Sequence, residues 1–404
     1  MLVDFRVTNF RSFRNEQDFS MQTGQRVRKY KENNTMQIKN ERILKSALVF
    51  GANANGKTNL MNALMTLKRL VLAPTSNEVE PLLTDTFGHN TQNTIFKITF
   101  MKNDEKYDYI LEYNSKEIDR EELLVNDDLI FNRERQEFLH LPKQLEPVKK
   151  NIRKNQLLLF FAQQNNEHYS KNAFNWFLED LVYANTNRIR NDMFQMLEND
   201  NFKSKFVLFL RAADFNIVDI EVRKRKIRTN SSDSMKEKKI DDDDDDDDTN
   251  FFIRYDVYSM HKSEQGAFSI EFADESTGTK VFMFLALYIL SSKGKTLLID
   301  EFDRSYHLEL AKALLAVINN KGQTNQFILT SHELSLMDAN LRQDQIWFAE
   351  KNQFGESELF SIFDFDNPEL KRSDYNFKKR YLEGLYGATQ MVNKKLLVEA
   401  LKNE

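Results

Sequence analysis

The sequence predicts an α/β protein, a mixed and largely parallel sheet core with an antiparallel β subdomain and a helical insertion. Three observations carry this. GANANGKTN (51–59) lies between the apolar run ALVF and LMNALMTL, whose apolar residues have helical spacing, so a strand, a short loop and a helix follow one another. Farther on, the continuous apolar strands TLLID (296–300) and QFILTSHE (326–333) flank the helix LELAKALLAVINN (308–320), the pattern of parallel strands covered on both faces. Between these regions TIFKITFM (94–101) and KYDYILEY (106–113) alternate apolar and polar residues around NDE, which reads as an antiparallel hairpin.

Taken in order, residues 1–22 alternate through Leu2, Phe5, Val7, Phe10, Phe13 and Phe19, as two short strands joined by a turn do. Ile43 to Phe50 is a buried strand, and 57–72 is the helix after the loop. KEIDREELLV (116–125) extends the hairpin sheet, which closes a first lobe, 1–125. The segment 126–270 reads as a mainly helical insertion, on FNWFLEDLVYA (174–184) and on NDMFQMLEND to FVLFLRAADF (191–215). Within it, 223–250 is a charged low-complexity stretch that ends in eight consecutive aspartates, Asp241 to Asp248. Like charges repel and nothing there can pack, so it reads as a solvated loop. The alternatives are a Ca²⁺ or Mg²⁺ site and a mask over a basic groove. The second lobe, 271–404, holds the helix KVFMFLALYILSS (280–292), the strands already named, and a final pair, QIWFAEK (345–351) with SELFSIFDF (357–365).

Bulk properties narrow the function. The chain has 404 residues with 41% hydrophobic content, enough for a large core. A formal net charge of −5 argues against a surface coated for non-specific nucleic-acid binding. There are no cysteines, so disulfides and thiolate zinc sites are excluded. The start MLVDFRVTNFRSF lacks the apolar block of a signal peptide, and no apolar run reaches the length of a membrane span. A soluble cytoplasmic protein with no membrane partner is expected.

Four motifs carry chemistry. The loop fits G-x-x-x-x-G-K-[ST] as Gly51, Gly56, Lys57 and Thr58. Its backbone N–H groups, through Asn53, Ala54, Asn55 and Gly56 to Asn59, can close around phosphate at the helix N-terminus, with Lys57 on the β- and γ-phosphates and Thr58 on Mg²⁺. TLLIDEFD (296–303) is an apolar strand ending in Asp300, which can hold the magnesium shell, and Glu301, which can polarise water for in-line attack. ILTSHE (328–333) ends the next strand at His332, on the γ-phosphate side of a nucleotide. ESTGTK (275–280) precedes a helix. There Ser276 and Gly278 make a second anion site with the helix N-terminus, or Ser276 or Thr277 is an ordinary N-cap with Gly278 in the turn.

The order of these motifs resembles that of the ABC-type ATPases, and within them the SMC-head and OLD-like branch. GANANGKT resembles Walker A, with Ala54 where glycine is common in that branch. ESTGTK resembles the signature motif, matching at Ser276, Gly278 and Lys280, with Thr277 in place of a glycine. LLIDE resembles Walker B, DRSYH (303–307) the D-loop, and His332 the switch histidine. LLLFFAQQNNE (157–167) resembles the Q-loop, with Gln163 or Gln164 as its glutamine and strand register narrowly favouring Gln163. NFRSF, DQIWFAEK and KKRYLEGLYGATQ are similar to a bacterial group of stand-alone ATPases found in abortive-infection and PARIS-type phage-defence systems.

The resemblance implies the ABC/SMC-head P-loop NTPase fold, ATP and Mg²⁺ as cofactors, and ATP hydrolysis. Catalytic roles fall to Glu301, His332 and Gln163, and metal contacts to Thr58, Asp300 and Gln163. It also implies a head-to-tail homodimer or higher homo-oligomer, in which Ser276, Gly278 and Lys280 of one chain complete the site of the other. A separately encoded nuclease or toxin is the implied effector, and DNA or a phage protein are further candidate partners. The alternatives are a DNA-clamping repair or chromosome-maintenance ATPase, a module that binds ATP without hydrolysing it, and, last, the motor of a transporter. The insertion is too short for a long coiled-coil arm. Roughly 70 residues follow His332, too few for a Toprim nuclease, so any nuclease is expected on another polypeptide.

Overall fold

The computed structural model describes residues 1–24, 27–184, 191–213, 215–228, 251–291, 294–304, 306–365, 376–387 and 399. The run Asp241–Asp248 lies outside them. Contacts divide the chain into two compact units, Met1–Tyr183 with Gly294–Glu404, and Ala184–Lys293.

The first unit opens with β1 (Leu2–Thr8) and β2 (Gln17–Ser20), a single turn α1 (Lys31–Asn34), and the ribbon β3 (Thr35–Ile38) and β4 (Glu41–Leu44). Next come β5 (Ser46–Phe50) and α2 (Lys57–Leu72), then the meander β6 (Thr94–Lys102), β7 (Glu105–Tyr113), β8 (Ile118–Val125), β9 (Asp128–Glu134) and β10 (Glu137–His140). Helices α3 (Leu158–Gln164) and α4 (His168–Asn175) lead through a π-helical turn, Trp176–Asp180, to β11 (Leu181–Tyr183). The second unit contains α5 (Asn191–Gln195), α6 (Asp200–Ala212), β12 (Ile217–Arg228), β13 (Phe251–Ser263), β14 (Gly266–Glu271) and α7 (Thr277–Ser291). The first unit then resumes with β15 (Thr296–Ile299), α8 (Leu308–Ile318), β16 (Gln326–Thr330), β17 (Ile346–Lys351), β18 (Ser357–Ser361) and α9 (Phe377–Leu382).

Two sheets organise the first unit. One is antiparallel, in the order β10-β9-β8-β7-β6-β1-β2. The other runs β11-β15-β16-β5-β17-β18, parallel except for the last pair. All five residues of β5 are buried, as a central parallel strand requires. On α2, Leu60, Met61, Ala63, Leu64, Leu67, Leu70 and Val71 form the inward stripe. They share one apolar core with Phe5 and Val7 of β1, Phe96, Ile98 and Phe100 of β6, Tyr107, Tyr109 and Leu111 of β7, and Leu158 and Leu159 of α3. Each Val, Leu, Ile, Phe or Met side chain among them contributes about 1.5–3 kcal/mol when removed from water.

The meander turns on a repeated dipeptide. Asn103 and Asp104 (φ 52° and 62°) close β6 onto β7, and Asn126 and Asp127 (φ 50° and 70°) close β8 onto β9. Two consecutive left-handed residues are the signature of a type I′ turn. The boundary expected at 125 therefore falls elsewhere, because the antiparallel sheet continues to His140.

The insertion expected to be mainly helical also holds the three-stranded antiparallel sheet β12-β13-β14. The basic residues at 223–228, expected in a loop, are the end of β12. The segment 174–184, expected as a helix, ends instead in the edge strand β11, which pairs in parallel with β15. The segment 275–280, expected as a signature motif in the C-terminal lobe, groups with the second unit, where α7 packs against α6. Among the described residues no helix is long and apolar enough to cross a membrane.

Candidate nucleotide-binding site

The candidate chemistry gathers at the carboxyl ends of three adjacent parallel strands, β15, β16 and β5, the edge at which open α/β sheets take ligands. From β5 the chain turns at Gly51 (φ 147°), where an added Cβ would lie 2.3 Å from the Ala349 carbonyl oxygen of β17. Gly56 (φ 107°) ends the loop. A Cβ there would meet the Ser357 hydroxyl at 2.7 Å. Both glycines are therefore fixed by close approach as well as by backbone conformation. Ala54 has φ 65°, a left-handed position taken without glycine.

The loop is braced from behind. The Asn55 side-chain amide donates to the Ala349 carbonyl (3.2 Å), and that of Asn59 donates to the Ser12 hydroxyl (2.7 Å), which is bonded to the Ser357 hydroxyl (2.8 Å). Arg11 donates to the Asn59 side-chain amide oxygen at 3.4 Å and pairs with Asp85 at 2.7 Å. Asn53, Ala54 and Thr58 stay exposed at the mouth.

Lys57 is buried at the start of α2, and its ammonium donates to the Gly51 and Ala52 carbonyls at 2.8 and 2.9 Å. Burial lowers its pKa to about 8, against the opposing pull of Asp300, Glu301 and Asp303. His332 lies in the same field. Burial first and Lys57 second lower its pKa, while Asp303, Glu301 and Asp300 raise it. An imidazole held below its ordinary value is neutral at pH 7.

Asp300 and Glu301 follow β15, and the end of β16 grips them. The Thr330 hydroxyl accepts from the Glu301 N–H (2.7 Å) and donates to Asp300 Oδ1 (2.5 Å). The Phe302 N–H donates to the Thr330 carbonyl at 2.9 Å, and the His332 N–H lies 3.3 Å from both Asp303 carboxylate oxygens. Glu301 itself has φ 51°, and its carboxylate pairs with Arg304 at 2.6 Å. Tyr183, at the end of β11, has its pKa raised by burial and by Asp300 and Glu301.

Of the expected residues, Lys57, Asp300, Glu301 and His332 thus share one electrostatic neighbourhood, with the loop 51–59 around Lys57. Gln163 does not join them by any hydrogen bond, since its side chain makes none among the described residues. It is half-buried in the last turn of α3, so the strand register that favoured it over the exposed Gln164 does not exist. The start of α3 is held elsewhere, by buried Glu121 accepting from the Leu158 and Leu159 N–H groups (2.6 and 2.8 Å).

In the second unit Ser276 caps α7. Its hydroxyl accepts from the Thr279 N–H at 3.1 Å and bonds the Thr279 hydroxyl at 2.8 Å. Lys280 turns back to the Ala273 carbonyl. Gly278 is half-buried in the first turn. The N-cap reading of Ser276 holds, and Ser276 stands exposed at a helix N-terminus as an anion site requires.

Sequence reasoning passed over Thr330, Arg304, Tyr183 and the Ser12–Ser357 pair. Thr330 and Arg304 lie inside quoted motifs, and a hydroxyl at the buried end of an apolar strand was the available signal. Ser12 and Ser357 are 345 positions apart and carried none.

A magnesium nucleotide fits this donor set. A side chain would fill the cradle at Gly51 or Gly56, and the one ammonium buried there is oriented by loop carbonyls. Lys57 would meet phosphate, and Thr58 and Asp300 would hold the metal, which uses few protein ligands beside phosphate oxygens and water. No group of three His, Asp or Glu able to hold a metal alone occurs among the described residues.

No curated protein matches the chain. Among solved structures it is similar to an SMC head bound to the C-winged helix domain of ScpA (13% identity, 89% of this chain and 97% of that one, TM-score 0.44). It is also similar to the SMC head domain from Thermotoga maritima (12% identity, 89% and 98%, TM-score 0.39). A third is the SMC head with an extended coiled coil bound to the C-terminal domain of ScpA, from Pyrococcus furiosus (13%, 95% and 99%, TM-score 0.44). A family model described as "AAA domain, putative AbiEii toxin, Type IV TA system" matches residues 46–338, from β5 to beyond His332. That match covers well over half of the chain and every motif of the candidate site, so the protein belongs to this family of P-loop ATPases.

Proposed function

We propose that the protein is an ABC-type ATPase that acts as a sensor or scaffold in bacterial anti-phage defence, with a nucleotide-dependent dimer controlling a separately encoded nuclease or toxin. The observation that carries the ATPase reading is the convergence of Lys57, Asp300, Glu301 and His332 on one strand edge. Magnesium, when bound, supplies charge neutralisation at the phosphates. Glu301 takes a proton from the attacking water, and neutral His332 hydrogen-bonds on the γ-phosphate side. Gln163 remains a proposed metal and water contact, reached by movement of α3.

Ser276, Gly278 and Lys280 sit in the second unit, apart in sequence from the loop. In the proposed dimer they come from the other chain and close each site, as an exposed helix N-terminus suits. The defence role is supported by the family, whose description names a toxin–antitoxin system. The test is Glu301→Gln, expected to abolish phosphate release while ATP shifts the protein to a stable dimer in light scattering. Turnover at the wild-type rate removes Glu301 as the base.

A second reading, a DNA-clamping ATPase of repair or chromosome maintenance, is favoured by one feature. The exposed end of β12 carries Arg223, Lys224, Arg225 and Lys226 in succession. Most of that charge is already engaged, Arg223 by Glu221, Lys224 by Glu198 and Arg225 by Asp256. A fourfold Arg/Lys→Ser variant that keeps its DNA affinity sinks this reading.

A further inference from the structure

We propose that Thr330 is a positioning residue for hydrolysis, a hydroxyl that locks the metal carboxylate Asp300 and the base Glu301 into one geometry. This rests on the ATPase reading of the site. Thr330 ends β16 next to β15, and none of its surface reaches solvent. A buried hydroxyl needs partners, and this one has two. An N–H can only donate, so the hydroxyl must accept there and its own proton is left for the carboxylate. The hydroxyl accepts from the Glu301 N–H and donates to Asp300 Oδ1.

The Glu301 bond matters because of the backbone it holds. Glu301 has φ 51°, the left-handed region that L-residues avoid. Phe302, just beyond, donates to the Thr330 carbonyl. One residue of β16 thereby holds three consecutive residues of the neighbouring segment, through its hydroxyl and its carbonyl. Replacing the hydroxyl by a methyl group leaves the Glu301 N–H and Asp300 Oδ1 without this partner. The left-handed turn is then free to relax, and the Glu301 carboxylate moves with it. Misplacement of a general base by about 1 Å costs on the order of 10²-fold in rate.

The experiment compares wild type, Thr330→Val and Thr330→Ser for phosphate release across ATP and Mg²⁺ concentrations. Thr330→Val is expected to lower kcat by about 10²-fold with the KM for ATP within about threefold, and to need more Mg²⁺ for half-maximal rate. Thr330→Ser, which keeps the hydroxyl, is expected to restore kcat to within about threefold of wild type. A merely structural role predicts a lower Tm with unchanged kcat per folded protein. Thr330→Ala carries the same expectation as Thr330→Val if the latter does not fold. Wild-type kcat and Mg²⁺ dependence in Thr330→Val or Thr330→Ala, or equal damage from Thr330→Ser, overturns the inference and leaves the ATPase reading standing. A wild-type protein that binds ATP but releases no phosphate overturns both.

Discussion

Lys57 sets the pH behaviour of the site. Burial holds its pKa at about 8 in the free protein, far below that of a solvated lysine. Phosphate oxygens raise it again on binding, because an opposite charge favours the ammonium. Below pH 8 the lysine is already protonated and binding needs no proton from this group. Above it, binding must take one up. ATP affinity is therefore expected to fall by up to about tenfold per pH unit above 8. Calorimetry at pH 7 and 9 in buffers of different ionisation enthalpy measures this, and pH-independent affinity would contradict it. Ala54 gives a second residue-scale prediction. Its φ of 65° suits glycine, so Ala54→Gly is expected to raise stability by up to about 1 kcal/mol in denaturant unfolding. Gly51→Ala is expected to do the opposite and impair ATP binding, since its Cβ has no room beside Ala349.

At the scale of elements, what the sequence made legible was local. The strand-loop-helix of β5 and α2, the first hairpin, and the succession of β15, α8 and β16 all rest on periodicity within a short window. What it hid depended on partners far away. β11 is three residues at the end of a helical pattern, and only its pairing with β15 makes it a strand. The segment expected as a Q-loop contains the helix α3, whose first N–H groups are held by distant Glu121. Asn126–Asp127 repeats the turn signal that identified the first hairpin at Asn103–Asp104, and it marks β8 and β9 equally well. The Ser276 cap predicts its own separation of roles. Ser276→Ala is expected to lower stability by about 1 kcal/mol, whereas Ser276→Asn keeps the cap. A loss of turnover in Ser276→Asn at unchanged stability then marks a role in the site beyond capping.

At the scale of the molecule, the motifs divide between two units. The loop, Asp300, Glu301 and His332 belong to the first, and Ser276, Gly278 and Lys280 to the second. The sequence reading placed Ser276, Gly278 and Lys280 in the C-terminal lobe, because a boundary drawn on texture cannot see that α7 packs with α6. The proposal that two chains share each site is tested most directly by complementation. Lys57→Ala and Ser276→Arg proteins, each inactive alone, are mixed in equal amounts and assayed for phosphate release. Random pairing makes half of the dimers mixed, each with one intact site, so about a quarter of wild-type activity is expected. A mixture no more active than its two components would contradict the shared site.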